Sequence, residues 1–248
     1  MYPQERQDEI LAILEKFQYV TVAYLIEKLR YSSATINRDL NVLEKRKLVR
    51  RSYGGVELVA ASAVPLVFRQ HKQHHAKEKI AQKAAEFVCD GDVIFVDGST
   101  TAQHMGPFLT EKSDVMVITN NITLASYLSD LGIACVVLGG KILEAPSMIG
   151  STDTVDMARS YRADKAFFST GSVTDRGHVG CGGVYYDLHR VMMENSEQSF
   201  YLVDNEKRNR RVSKILCDFS SFDYVISDYD FSSLEESYPD TQIIQVTV

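Results

Sequence analysis

The run Asp97-Gly98-Ser99-Thr100-Thr101 sets a carboxylate, a glycine and three hydroxyls side by side. A glycine that lets the backbone come close, followed by hydroxyls and free amides at a helix start, can hold a phosphate without a large local charge. The same residues can also form an ordinary strand-to-helix turn with Ser/Thr capping. Thr119-Asn120-Asn121 and Leu138-Gly139-Gly140 repeat the polar or Gly-rich theme, and Asp204-Asn205-Glu206-Lys207 adds a carboxylate and an ammonium. Lys207 could meet phosphate or a sugar oxygen as a point charge, or be one of Lys207, Arg208, Arg210 and Arg211 on a solvated helix. Aldose-ketose isomerisation would need a carboxylate base near the sugar C1 and C2. Asp97, Asp175, Asp204 and Glu206 are available, yet none sits in a motif that identifies a base.

A second chemistry lies near the start of the chain. In Tyr31 to Leu43, residues Ile36, Leu40 and Leu43 fall at i, i+4 and i+7, so one stripe faces a core and Thr35, Asn37, Arg38 and Asn41 are left to other faces. Ser32 or Ser33 can cap this helix, giving it a first turn suited to a phosphate or a base edge. The chain as a whole is acidic, with 27 Lys+Arg against 33 Asp+Glu. Arg30 to Arg51 nevertheless holds seven basic residues against Asp39 and Glu44, a local excess of 7 − 2 = +5. Such an excess suits a duplex backbone, although basic residues near a helix C-terminus also suit its dipole. Arg38, Arg50 and Arg51 are the candidates for phosphate, and Thr35 and Asn37 for base edges.

The elements that position these residues follow from periodicity. Apolar positions predict helices over Pro3 to about Phe17 and about Thr21 to Leu29. After the third helix come a strand at Leu48-Val49, the basic Gly-tipped run Arg50-Arg51-Ser52-Tyr53-Gly54-Gly55, and a strand near Val56 to Val59. Three helices and such a hairpin make a winged helix-turn-helix. Further on, apolar runs at 93–97, 115–119, 134–138, 165–169, 199–203 and 224–227 alternate with helical patterns. They predict a largely parallel sheet covered on both faces, with ligands at the carboxyl ends of its strands. The expected organisation is a DNA-binding domain over 1–58, a linker over 59–76 interrupted by Pro65, and an α/β domain over 77–248.

Other features narrow the class. No apolar run approaches the roughly 20 residues of a membrane span, and the first residues lack the order of a secretory signal. Cys89, Cys135, Cys181 and Cys217 are scattered with no C-x-x-C pair, and read as buried thiols in a reducing cytoplasm. His71, His74 and His75 lie in the linker region. They read as solvated, with no carboxylate or thiol at helical spacing to complete a metal site.

Ser32-Ser33-Ala34-Thr35-Ile36-Asn37-Arg38-Asp39-Leu40 and the wing ending in Gly54-Gly55 resemble the DeoR family of bacterial transcriptional regulators. That family's pattern is Ser, two residues, then Thr-Ile-Arg-Arg-Asp-Leu, with a Gly-Gly wing. It also shows a strand-Asp-Gly-Thr-Thr turn, a Thr-Asn, a Leu-Gly-Gly and an Asp-x-x-Lys in this order. The resemblance implies a winged helix-turn-helix joined to a sensor domain like ribose 5-phosphate isomerase, acting as a homodimer or homotetramer on double-stranded operator DNA under a phosphorylated sugar. On that reading Ser32, Ser33, Thr35, Asn37, Arg38, Arg50, Arg51, Tyr53 and Gly54 meet DNA. Asp97, Gly98, Ser99, Thr100, Thr101, Asn120, Asn121, Gly139, Gly140, Asp204 and Lys207 meet the effector, with no catalytic residue, metal or cofactor. Asn37 departs from the usual Arg, Ser99 from the commoner Thr, and Asn205-Glu206 from a pair of serines. An amide at 37 can read adenine or bond a phosphate but brings no charge, so salt dependence does not carry over.

Overall fold

The computed structural model describes residues 3–17, 19–46, 48–52, 55–58, 73–144, 148–181, 185–210 and 214–248. Tyr53, Gly54, Val59, Pro65, His71 and Arg211 lie outside these, as does most of the expected linker. The chain divides into two compact units, Met1–Lys72 and Gln73–Val248.

In the first unit α1 (Pro3–Phe17) carries Ile10, Leu11 and Leu14 into the core. A short strand β1 (Tyr19–Thr21) follows, and the Thr21 hydroxyl caps α2 (Val22–Leu29) by accepting from the Tyr24 amide at 3.1 Å. Helix α2 stops at Arg30, which turns left-handed at φ 57°. Next come α3 (Ser33–Lys45), β2 (Val49–Ser52) and β3 (Gly55–Leu58), with the strands paired antiparallel in the order β1-β3-β2. Ile36, Leu40 and Leu43 of α3 are fully buried against Ile10, Leu14, Leu25 and Val56. Burying each contributes roughly 1.5–3 kcal/mol. Gly55 lies under the Tyr19 ring: a Cβ there would stand 2.2 Å from the Tyr19 hydroxyl, so that side chain would have to swing aside.

The second unit begins with α4 (His74–Ala85). Then follow β4 (Val93–Val96), a 3-10 segment (Ala102–Glu111), β5 (Met116–Thr119), α5 (Ile122–Asp130), β6 (Ala134–Val137), and the small ribbon β7 (Ile142–Glu144) and β8 (Met148–Ile149). After them come α6 (Thr152–Arg159), β9 (Ala163–Phe168), β10 (Ser172–Val173), β11 (His178–Gly180) and α7 (Tyr185–Glu194). The chain finishes with β12 (Ser196–Val203), β13 (Ile215–Asp218), β14 (Tyr224–Ser227) and β15 (Gln242–Gln245).

Seven strands form one sheet in the order β15-β14-β12-β9-β4-β5-β6, and every pairing in it is parallel. Alternation along each strand splits the core in two. Ile94, Val96, Phe167, Phe200 and Leu202 pack under α4, α5 and the 3-10 segment, while Phe95, Ala166, Phe168, Tyr201 and Val203 pack under α6 and α7. From β4 the chain builds outward through β5 and β6, then crosses back to β9 on the opposite side. The order therefore reverses between β4 and β9, and ligands of open α/β sheets bind beyond the carboxyl ends of strands at such a reversal.

Two expectations need correction. Glu78 lies one helical turn from both His74 and His75, with its carboxylate 4.0 and 3.9 Å from their rings, so a carboxylate does stand at helical spacing. Among the described residues, still, no group of three His, Cys, Asp or Glu could hold a metal ion. Of the four cysteines Cys181 alone is buried, and Cys89 is exposed. Among the described residues no helix is long and apolar enough to cross a membrane.

Candidate functional site

In the first unit the start of α3 is fixed by Ser32, whose hydroxyl accepts from the Thr35 amide at 3.2 Å and bonds the Thr35 hydroxyl at 2.9 Å. Ser32, Ser33 and Arg38 are exposed, and Ala34, Arg38, Asn41 and Lys45 line one exposed stripe of the helix. Arg51 folds back across α3, donating to Asn41 Oδ1 at 2.9 Å and to Asn37 Oδ1. The Asn37 amide group in turn donates to the Ser33 carbonyl at 2.8 Å. Arg50 extends from β2 with its side chain 71% exposed and meets Glu57 of β3 at 2.6 Å.

The acid Asp39 is buried beneath the helix, where the Arg6 guanidinium grips both of its oxygens and the Gln7 amide adds a bond at 3.3 Å. Its charge is therefore cancelled from α1, which sharpens the basic character of the exposed face. The sequence reading missed Arg6, although an acid flanked by Ile36 and Leu40 on the apolar face demands a cation.

In the second unit Asp97 follows directly on β4, and it is buried. Its carboxylate accepts from the Ser99 amide at 3.1 Å, the Ser169 amide at 3.3 Å and His189 Nε2 at 3.0 Å. Gly98 lets Met148 pack over the turn, since a Cβ there would stand 2.9 Å from that side chain and 3.3 Å from the Asn120 amide nitrogen. The Ser99 hydroxyl accepts from the Ala102 amide at 3.1 Å, and Thr100 is buried with its carbonyl bound to His104 Nδ1 at 2.6 Å.

Thr101 is the hydroxyl that meets Lys207. The buried Lys207 ammonium donates to Thr101 Oγ1 at 2.8 Å and to Ser169 Oγ at 2.7 Å, and stands 3.5 Å from Asp204. Burial works to raise the Asp204 carboxyl, but the charges of Lys207, Lys77 and Arg210 outweigh it and hold the group below its usual range. Asn120 donates to the Ile149 carbonyl at 2.8 Å while its buried Oδ1 has no hydrogen-bond partner among the described residues, and the buried Asp204 Oδ2 faces the Lys207 ammonium across 3.5 Å.

Asn121 does different work: its carbonyl caps α5 through the Leu124 amide at 3.1 Å, and its amide holds Gln103 at 3.1 Å. Gly139 and Gly140 also separate. Gly139 is open, its carbonyl accepting from the Thr154 hydroxyl at 2.7 Å, whereas Gly140 adopts φ 144° against the start of α6.

Three participants escaped the sequence reading. Ser169, at the end of β9, enters through topology, because its strand lies next to β4 only after the crossover. Lys77, buried on α4, reaches Asp204 through its charge. His189 of α7 binds Asp97, and no spacing rule connects residues 92 positions apart. Of the remaining carboxylates, Asp175 pairs with Arg208 at 2.8 Å on the surface, and Glu206 accepts from Gln73 at 2.9 Å.

A winged helix-turn-helix unit and a parallel α/β unit with a polar ring at its switch point define a regulator with a sensor. Residues 6–61 match the DeoR-like helix-turn-helix domain and residues 72–229 the DeoR C terminal sensor domain. The chain belongs to the DeoR family. It is similar to the glycerol-3-phosphate regulon repressor of Escherichia coli (strain K12), at 28% identity over 92% of each chain. It is also similar to the lactose phosphotransferase system repressor of Lactococcus lactis, at 29% identity over 99% of each. Among solved structures, ribose 5-phosphate isomerase A of Methanocaldococcus jannaschii aligns at a TM-score of 0.40, with 21% identity over 55% of each chain.

Proposed function

We propose that this chain is a transcriptional repressor of a sugar or carbohydrate metabolism operon, and that a phosphorylated sugar controls its grip on operator DNA. The observation that carries the effector half is the meeting of Lys207, Thr101 and Ser169 at the switch point. Hydroxyls and an ammonium suit a phosphate, and the buried acceptor Asn120 Oδ1, without a hydrogen-bond partner among the described residues, suits a hydroxyl of a polyol. The names of the relatives, repressors of a glycerol-3-phosphate regulon and a lactose phosphotransferase system, support the same class.

On this reading residues 1–58 bind DNA, 59–76 link, and 77–248 sense. Arg38, Arg50 and Arg51 place the domain on phosphate, with Ser32, Ser33, Thr35, Asn37, Tyr53 and Gly54 at the duplex. Asp97, Gly98, Ser99, Thr100, Asn120, Asn121, Gly139 and Gly140 complete the effector site around Thr101, Asp204 and Lys207. The assembly is a homodimer or homotetramer in the cytoplasm, where two half-sites are read at once. The large unit is a sensor and not an isomerase. Asp97 is held by His189 and two amides, Asp204 faces Lys207, and Asp175 is in a surface ion pair, so each of these carboxylates is already engaged.

The test is a mobility shift on the DNA upstream of the protein's own gene and its neighbours, with and without a panel of sugar phosphates. Specific binding altered by one phosphosugar supports the reading and names the effector. Turnover of that phosphosugar by the purified protein, without specific DNA binding, would replace it with an enzyme.

A further inference from the structure

His189 sits between two partners in the buried core of the second unit. Its Nε2 faces Asp97 Oδ2 at 3.0 Å and its Nδ1 faces Cys181 Sγ at 3.5 Å. Phe168 stacks on the imidazole, with ring centroids 5.3 Å apart and planes 22° from parallel. Asp97 is itself immobilised by the Ser99 and Ser169 amides. A carboxylate that orients an imidazole, which in turn faces a thiol, is the arrangement that turns cysteine into a nucleophile. Here it is assembled from β4, α7 and the end of β11, and the DNA and effector reading makes no use of its sulfur.

We propose that Cys181 is a modification site, a thiol primed by His189 and Asp97 for oxidation to a sulfenic acid by a small hydroperoxide. The sulfur attacks one peroxide oxygen, an S–O bond forms and the O–O bond breaks. The proton shared between Sγ and Nδ1 passes to the leaving hydroxide as water. The net change is Cys–SH + H2O2 → Cys–SOH + H2O, in which sulfur gives up two electrons and the peroxide takes them. Cys181 is only 3% exposed, so the oxidant has to be small and neutral, and a bulky disulfide is shut out.

The other cysteines serve as internal comparisons. Burial pushes the Cys135 thiol up and, against a bond from Ser221, the Cys217 thiol up to about 12, which keeps both in the unreactive form. Cys89 is exposed, and its thiol faces the Phe87 backbone carbonyl at 3.9 Å instead of an imidazole. An oxygen added to Cys181 has to be fitted against His189, whose other nitrogen holds Asp97 and through it the Ser99 turn. Oxidation at this one sulfur therefore loosens the turn from Asp97 to Thr101.

The test treats the folded full chain with a limiting amount of hydrogen peroxide, removes the peroxide, unfolds the chain in dimedone so that the trap reaches a buried sulfenic acid, and locates the adduct by peptide mass spectrometry. The adduct is expected on Cys181 before Cys89 in the wild-type protein, and a bulky aromatic disulfide should show the reverse order. His189→Asn should slow oxidation at Cys181 at least about a hundredfold, the low end for loss of a proton-transfer partner, without slowing Cys89. Peroxide modification of Cys89 with Cys181 intact overturns the proposal in the wild-type protein alone, so the outcome does not depend on whether the variant folds. An unchanged Cys181 rate in folded His189→Asn protein overturns it as well.

Discussion

Lys207 Nζ stands 2.8 Å from the Thr101 hydroxyl, joining a turn after β4 to a turn after β12 across 106 positions of sequence. The same ammonium faces the buried carboxylate of Asp204 at 3.5 Å. Lys207→Ala should therefore do two separable things. It should abolish the response to the phosphosugar while leaving operator binding without effector. It should also cost about 2–4 kcal/mol in urea unfolding, because a buried carboxylate loses its cation. Asp204→Asn combined with Lys207→Met should recover most of the stability and none of the response. A Lys207→Ala protein that still responds at the wild-type effector concentration removes Lys207 from the site.

Arg6 and Asp39 form the corresponding buried pair under α3. Arg6→Ala leaves the Asp39 charge buried beneath α3 without its cation and should destabilise the first unit by about 3–5 kcal/mol, whereas Arg6→Met with Asp39→Leu should cost much less. Thermal unfolding of the wild type, Arg6→Met, Asp39→Leu and the double variant gives the coupling directly. Additive losses would show that the pair contributes nothing beyond its two side chains.

Much of this architecture was legible because burial writes periodicity into sequence. The i, i+4, i+7 stripe of Ile36, Leu40 and Leu43 gives α3, and the runs at 93–96 and 200–203 give central strands, since both faces of those strands are covered. Strand β15 escaped because Gln242-Ile-Ile-Gln245 lies at a sheet edge and carries polar ends. β1 escaped because three residues hold too little of a pattern. At the site, residues adjacent in sequence, such as Gly98 to Thr101, announce themselves through turn chemistry. Ser169, Lys77 and His189 do not, because strand order and helix packing bring them in and neither is written in local spacing.

Gly139 and Gly140 look equivalent in sequence and differ in the fold. A Cβ at Gly139 meets nothing within 4 Å, while one at Gly140 would lie 2.2 Å from the Thr154 hydroxyl and 2.5 Å from the Ser151 hydroxyl, at φ 144°. Gly139→Ala should leave stability within about 0.5 kcal/mol of wild type. Gly140→Ala should lose about 1–3 kcal/mol through backbone strain and displacement of the α6 cap. Chemical denaturation separates them, and equal losses would refute the distinction.

His189 gives the protein a pH dependence on the alkaline side. Burial lowers its proton affinity, but the bonds to Asp97 and Cys181 more than reverse this and push its pKa up to about 10. The raised folded value makes the contribution complete below about 6.5, the unfolded value, and progressively lost as pH rises towards 10. Unfolding free energies measured from pH 6 to pH 10 should fall more steeply for the wild type than for His189→Asn. Parallel curves would mean that the imidazole is neutral in the fold.

Arg38 and Arg51 should behave differently on DNA although both are arginines of the basic segment. Arg38 is exposed on the stripe with Ala34, Asn41 and Lys45, whereas Arg51 is tied to Asn37 and Asn41. Arg38→Ala should weaken operator binding and reduce the slope of log affinity against log salt by about one, the signature of one lost phosphate contact. Arg51→Ala should also free the Asn37 carbonyl and loosen the wing strand from α3, so its effect should include altered preference among operator variants. Fluorescence anisotropy at several salt concentrations distinguishes the two. An unchanged slope for Arg38→Ala would take Arg38 off the phosphate backbone and leave Arg50, on β2, as the stronger candidate.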